Sequence, residues 1–262
     1  MKAIILAAGK GTRLKKYTKS QPKGMLQFSN KTLIQRQIDI YRDFGINDII
    51  IITGYKSEKI NYHNVKYYHN ENYNSTNMLE SFILARDEFD DDIIVSYADI
   101  IFEKNVLMKL IESKSKLVVT VDLNWKKYWI ERYDTFKYDL EGLKIDSKGY
   151  IIDIGDPNPI INDIDGRYIG LVKFKKNILK KINSIYDTNR SLHWNKPWGK
   201  SKNIFQKAYF TDLIYMIIKE NIRVSSLKIS GGWLEFDTNQ DYERMNNLYK
   251  KDSLNHLIEL DN

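Results

Sequence analysis

The chain of 262 residues has no cysteine, four prolines and four histidines. Without cysteine there are no disulfides and no thiolate metal sites, and His63, His69, His193 and His256 are scattered without ligand spacing. No proline-, glycine- or serine-rich linker divides the chain, and no fixed-period repeat runs through it. Its longest wholly apolar runs are a handful of residues, too short to span a bilayer. The first residues lack the basic segment and long apolar stretch of a secretory signal, so a cytoplasmic protein without membrane insertion is expected. A concentrated basic arm is missing too. The formal net charge is +7, but the lysines are interspersed with Asp and Glu, which argues against a nucleic-acid partner and suits anionic small substrates. The length fits one large α/β unit over 1–262 better than two independent domains.

Short apolar runs alternating with helical patterns predict an α/β fold with a mostly parallel sheet covered on both faces. Strands are expected at 2–7, 48–53, 65–68, 93–97 and 116–122. One helix is expected at 32–44, with Leu33, Ile34, Ile38 and Tyr41 on one face and Gly45 as its stop. Others are expected at 77–89, capped by Thr76, at 209–220, opening on Thr211-Asp212, and at 239–262. In the last of these, Tyr242, Met245, Leu248, Leu254 and Leu257 fit either docking onto the chain or a homodimer contact. The less regular stretch 123–175 mixes β-type patterns (143–145, 150–154, 167–174) with turns, and a β-rich insertion closing over the site as an acceptor lid is expected there. Residues 175–208 carry no assignment.

The most informative stretch is Leu6-Ala7-Ala8-Gly9-Lys10-Gly11-Thr12-Arg13-Leu14, followed by Pro22-Lys23. It leaves the apolar run Ala3-Ile4-Ile5-Leu6 as a loop whose glycines put no Cβ between backbone amides and a ligand. Lys10, Arg13 and Lys23 add positive charge, so the loop suits a polyphosphate. Two common phosphate motifs fail. A Walker A loop needs glycine where Ile4 stands, and a dinucleotide fingerprint needs its third glycine where Leu14 stands. Ligands of open α/β sheets bind beyond the carboxyl ends of the strands. The glycine loop, Gly54-Tyr55, Tyr97–Asp99 and Asp122–Trp125 all leave predicted strands at that edge.

This stretch resembles the signature of the nucleoside-triphosphate transferases that make nucleotide-activated sugars, alcohols and phosphonates. The resemblance implies a Rossmann-like, GT-A-like fold. It implies nucleotide contacts at Leu6, Ala7, Ala8, Gly9, Lys10, Gly11, Thr12, Arg13 and Lys23, continuing at Thr76, Asn77, Tyr97 and Ala98. Asp99, after the strand 93–97, and Asp237, in Gly231-Gly232-Trp233-Leu234-Glu235-Phe236-Asp237-Thr238, resemble the pair of aspartates that bind Mg²⁺ in that family, with Glu235 as a further ligand. The implied catalytic set is Arg13, Lys23, Asp99 and Asp237. An ionised acceptor oxygen would attack the α-phosphorus of the triphosphate and pyrophosphate would leave in line, with catalysis from positioning and charge stabilisation.

Asn72-Tyr73-Asn74-Ser75-Thr76-Asn77-Met78, Ser96–Phe102, Val121–Trp125 and Asp139-Leu140-Glu141 are similar to elements of bacterial choline-phosphate and phosphonate cytidylyltransferases. That similarity implies CTP and a small phosphorylated or phosphonylated acceptor: 2-aminoethylphosphonate, phosphocholine or phosphoglutamine, for decoration of a surface glycan. Aromatic faces and a carboxylate suit an amine. Trp125, Trp129 and Tyr168, with Trp194 and Trp198, are the aromatic candidates, Glu141 or Asp153 the acidic ones, and Arg132 and Lys173 candidates for the acceptor phosphate. A hexose-1-phosphate nucleotidyltransferase and a non-catalytic nucleotide-binding subunit are the alternative readings.

Overall fold

Alternate residues of a strand face opposite sides of a sheet, and the first apolar run separates accordingly. Ala3, Ile5 and Ala7 enter one core, Ile4 and Leu6 the other; Ile49 and Ile51 join the first group, Ile50 and Ile52 the second. The computed structural model describes residues 1–260. In chain order they form β1 (Lys2–Ala7), α1 (Lys15–Thr18), β2 (Gln27–Phe28), β3 (Lys31–Thr32), α2 (Leu33–Asp43), β4 (Ile49–Thr53), β5 (Lys66–His69), α3 (Met78–Ile83), β6 (Ile93–Tyr97), β7 (Ile100–Phe102) and α4 (Lys104–Glu112). There follow β8 (Leu117–Asp122), α5 (Trp125–Tyr133), β9 (Gly142–Ile145), β10 (Tyr150–Asp156), β11 (Arg167–Phe174), α6 (Lys176–His193), α7 (Phe210–Lys219), β12 (Val224–Ile229), β13 (Trp233–Glu235) and α8 (Asn239–Lys250).

Nine strands make the central sheet in the order β5-β4-β1-β6-β11-β8-β12-β10-β9. All run in one direction except β10 and β11, so the sheet is mixed but mostly of one sense. Helices α2, α4, α5 and α8 cover one face, and α3, α6 and α7 the other. No described helix is long and apolar enough to cross a membrane.

The stretch 123–175 does not form a body of its own. β11 lies in the middle of the sheet, antiparallel to both β6 and β8, while β10 and β9 widen it beyond β12. Seven of the eight residues of β11 are buried, as a strand sandwiched between two helical layers requires. Ahead of these strands, Trp125–Tyr133 is a helix that seals its aromatic residues against α8 and the sheet.

Several boundaries also shift. Asn77, and not Thr76, caps α3, its side chain accepting from the Met78 amide at 2.9 Å; Thr76 instead donates to the Asn72 carbonyl at 2.8 Å. The helix at 77–89 stops at Ile83, and a 3₁₀ turn, Arg86–Glu88, completes the stretch. Asp212 does serve the start of α7, from inside the first turn, where its carboxylate accepts from the Tyr209 amide at 2.9 Å. The C-terminal helix ends at Lys250; the residues after it fold back and bury Leu254, Leu257 and Ile258 beside Met245 in the same core. Those three and Met245 are filled from within the chain, and Tyr242 and Leu248 pack half-buried against the same core. Residues 261–262 lie outside the described residues.

Candidate active site

The glycine loop leaves β1 at the edge where β4, β6 and β8 also end. Gly11 has φ +60, and a Cβ there would sit 3.1 Å from Cβ of Lys23, so only glycine lets the loop close over the Pro22-Lys23 turn without strain. The amides of Gly9, Lys10 and Gly11 have no acceptor among the described residues, while the neighbouring strand ends are tied down: Ala98 donates to the Leu6 carbonyl at 3.1 Å and Tyr55 to that of Ala8 at 3.0 Å. Free amides beside a rigid strand end make an anion cradle.

Beneath the loop is a cavity of about 200 Å³. Leu6, Ala7, Ala8, Gly9, Gly11, Lys23, Thr76, Asn77, Tyr97, Ala98 and Asp99 line it, as the sequence predicts. Lys10, Thr12 and Arg13 do not reach its wall. Lys10 stands at the rim, its ammonium 5.9 Å from the ring centre of Tyr73. The cavity adds residues absent from the predicted contacts: Gly24, Asn70, Tyr73, Met78 and Ser81. Buried Asn70 knits this wall together, donating to Thr76 Oγ1 at 3.0 Å and Ser81 Oγ at 2.9 Å and accepting from the Asn72 amide at 3.0 Å. Its only sequence signal was its place directly after β5.

The carboxylates meet through a small ladder outside the main sheet. β7 pairs antiparallel with β13 so that Glu235 lies opposite Ile100, and the Phe236 amide donates to the Asp99 carbonyl at 3.0 Å. Oxygens of Asp99, Glu235 and Asp237 consequently lie within 4.8 Å of one another. The Lys23 ammonium donates to both Asp99 and Asp237, the latter at 2.6 Å. Arg13 pairs with Asp237 and, at 3.3 Å, with Asp139. Burial alone would raise the Asp237 carboxyl, but Lys23 and Arg13 outweigh it and hold the group below the usual carboxylate range. Burial raises Glu235, Arg132 opposes that, and the like charges of Asp237 and Asp99 add to it. Three hard oxygen donors suit Mg²⁺ or a similar cation. Asp99 Oδ1 is buried without a hydrogen-bond partner among the described residues, an orphaned acceptor that such an ion would satisfy.

The residues expected at the acceptor divide sharply. Glu141 and Tyr168 stand at the catalytic edge: the Tyr168 ring meets that of Tyr97 edge-on at 5.7 Å, and Glu141 accepts from Thr211 Oγ1 at 3.1 Å. Trp125 and Trp129 are core residues with 2% and 0% exposure, and the Trp129 indole donates to the Tyr138 carbonyl at 2.8 Å. Trp198 is likewise buried, and Trp194 packs beside Arg190 on the face carrying α6. Arg132 is fully buried and bound to Glu235 and Asp241, which leaves it no path to an acceptor phosphate. Lys173 lies at the opposite end of the sheet, beside Ile94 and Val118, where its ammonium caps α4 through the carbonyls of Ile111 (2.9 Å) and Ser113 (2.6 Å). Asp153 is tied to Lys200 at 2.8 Å.

An amide cradle with cationic side chains, a pocket beside it and a triad of carboxylates at its mouth define an enzyme that moves a nucleotidyl group. Residues 3–138 match the MobA-like NTP transferase domain, and the chain belongs to that family of nucleotidyltransferases. It is 34% identical over 255 residues to the CTP:phosphoglutamine cytidylyltransferase of Campylobacter jejuni, covering 93% of this chain and 98% of that one. It is 28% identical over 267 residues to the choline-phosphate cytidylyltransferase of Streptococcus pneumoniae, covering 97% and 100%. A solved structure of the CTP:phosphocholine cytidylyltransferase of Streptococcus pneumoniae superposes with a TM-score of 0.71 at 25% identity, over 95% of this chain and 98% of that one.

Proposed function

We propose that the protein is a Mg²⁺-dependent cytidylyltransferase that joins CMP from CTP to a small phosphorylated acceptor carrying an amine, and releases pyrophosphate. The observation that carries this reading is the convergence of Asp99, Glu235 and Asp237 with Lys23 at the mouth of the pocket under the glycine loop. The choice of cytosine rests on the two cytidylyltransferases that the chain resembles along nearly its whole length. The more similar of these two is named for phosphoglutamine, which puts that acceptor first, ahead of phosphocholine and 2-aminoethylphosphonate. The CMP-activated product would then serve decoration of a surface glycan.

Asp99, Glu235 and Asp237 would hold the ion, which supplies charge neutralisation where the acceptor oxygen meets the α-phosphate. The chain's own groups do the rest. The acceptor's phosphate oxygen bonds to the α-phosphorus as the bond to the bridging oxygen of the β-phosphate breaks, and the departing pyrophosphate takes that electron pair. The amides of Gly9–Gly11, with Lys10 and Arg13, hold the leaving group, and Lys23 stands where charge is redistributed. An already ionised acceptor needs no proton removed, in keeping with the lack of a histidine at the described site. On the acceptor side, the Glu141 carboxylate faces the Tyr97–Tyr168 pair and suits a protonated amine.

The test is pyrophosphate release with CTP, Mg²⁺ and phosphoglutamine, phosphocholine, 2-aminoethylphosphonate or glucose-1-phosphate. Release with a phospho-amine and none with the sugar is expected. Activity with the sugar alone would move the protein to sugar-nucleotide synthesis, and silence with every triphosphate would remove the catalytic reading. Glu141→Gln should raise the KM of the amine-bearing acceptor about tenfold, the worth of one charge-assisted hydrogen bond, with the KM of CTP unchanged. Steady-state kinetics with each substrate varied in turn checks it, and equal effects on both would refute the assignment.

A further inference from the structure

The start of β11 carries a guanidinium that the fold leaves largely unused. Arg167 stands opposite Asp122, at the edge of the sheet where β6 and β8 end, and its side chain is only 14% exposed. The guanidinium carbon lies 4.8 Å from the centre of the Trp129 ring, a contact that fixes the side chain without satisfying a donor. None of its side-chain N–H groups meets an acceptor at hydrogen-bond distance among the described residues. Its one ion-pair partner there, Asp139, stands 3.8 Å away. A mostly buried guanidinium with open donors is destabilising until a ligand completes it.

We propose that Arg167 receives a carboxylate of the acceptor, whose ammonium lies on Glu141, so that the acceptor is a phosphorylated α-amino acid. The inference rests on the cytidylyl-transfer reading above and names the substrate class that its acceptor side selects. An α-amino acid carries both charges on one carbon, and the pocket offers the two opposite charges as neighbours. Burial raises the Glu141 carboxyl, and the charge of Arg167 opposes that. The acceptor's phosphate is the other anion to consider for Arg167, and the order of charges argues against it. Arg167 leads to Asp139, Asp139 at 3.3 Å to Arg13, and Arg13 to Asp237. This series of ion pairs sets Arg167 apart from the metal-binding carboxylates, where Lys23 and Arg13 already face the reacting phosphates. A guanidinium fork matches a carboxylate with two parallel hydrogen bonds, and it repels a quaternary amine that brings no anion of its own.

The test compares two acceptors in the pyrophosphate-release assay with CTP and Mg²⁺: phosphoglutamine, and the same molecule with hydrogen in place of its carboxylate. The wild type should show a KM about tenfold lower, or more, for the first. Arg167→Gln should raise the KM of phosphoglutamine by about tenfold or more, with the KM of the decarboxylated acceptor and of CTP within about twofold. Arg167→Lys keeps the charge and loses the fork, and should fall between wild type and Arg167→Gln. An unchanged KM for phosphoglutamine in Arg167→Gln would overturn the proposal. An equal loss with both acceptors would overturn it too, since Arg167 would then serve the phosphate they share or only the shape of the site. So would a wild type indifferent to the carboxylate, a comparison that stands even if neither variant folds. Release with phosphocholine or 2-aminoethylphosphonate and none with phosphoglutamine overturns this inference and leaves the cytidylyltransferase reading in place. A wild type silent with every acceptor and triphosphate removes both.

Discussion

Asp99→Asn should abolish pyrophosphate release, with kcat down by about 10³-fold or more, and should leave the fold in place. The substitution keeps the shape of the side chain and the carbonyl that accepts from the Phe236 amide, so the β7–β13 ladder is untouched. What goes is one of three charges that gather within 4.8 Å, and with it the buried oxygen that has no partner of its own. An ion held by the remaining two carboxylates is weaker and less well placed. Several kcal/mol of charge stabilisation at the reacting phosphate are then lost, about tenfold in rate for each 1.36 kcal/mol. Lys23 keeps Asp237 at 2.6 Å, so the melting temperature should move by only a few degrees. Turnover within a few-fold of wild type, on protein shown by circular dichroism to be folded, would sink the assignment of Asp99 to the metal. Loss of turnover that excess Mn²⁺ partly restores would support it.

The parts of this site carried by contiguous sequence were legible, and the parts built by distant pairing were not. The glycine loop announces itself because its chemistry is local: an apolar strand, then glycines at 9 and 11 and cations at 10, 13 and 23. Asp99 and Asp237 could be named from resemblance, but their contact depends on β7 finding β13 across more than a hundred residues, which no pattern in either segment encodes. The same holds for Arg132 with Asp241 and for Asn70 with Ser81. Other misses had a signal. Trp125, Tyr128, Trp129 and Arg132 recur at helical spacing, which marks one inward face of α5 and argues against a substrate cage. In Arg167–Phe174 apolar residues occupy both faces, the sign of a central strand, while a lone lysine in such a strand belongs to whatever carbonyls lie at its end. Ile178, Leu179, Ile182, Ile185 and Tyr186 trace the apolar stripe of α6, the long helix in the unassigned stretch.

Lys23→Met should cost stability as well as turnover, and the stability loss should depend on pH in a way that identifies its cause. Only 14% of the Lys23 side chain and 6% of that of Asp237 are exposed, so the charges are poorly screened by solvent. Burial alone would lower the Lys23 ammonium, but Asp99 and Asp237 outweigh it and raise it, while Asp237 is held below the ordinary carboxylate range. A carboxyl depressed in the folded state contributes stability above its unfolded value, near pH 4, and loses it as pH falls through the folded value. A raised lysine contributes at every pH below its unfolded value, near 10.4. At neutral pH both contributions are present in the wild type. Removing the ammonium leaves Asp99, Glu235 and Asp237 facing one another with Arg13 and Arg132 as the remaining cations, which costs about 3–5 kcal/mol, the range for breaking a buried pair. That corresponds to a melting temperature lower by on the order of 10 °C in a chain of this size. As pH falls toward 4 the variant's carboxylates take up protons and shed their repulsion, so the gap to wild type narrows. Mg²⁺ at neutral pH should raise the variant's melting temperature more than that of the wild type, since the ion meets no competing ammonium there. Melting curves of both proteins from pH 4 to 8, with and without Mg²⁺, give the answer. A gap that stays constant across that range and ignores the metal would mean that Lys23 serves packing alone.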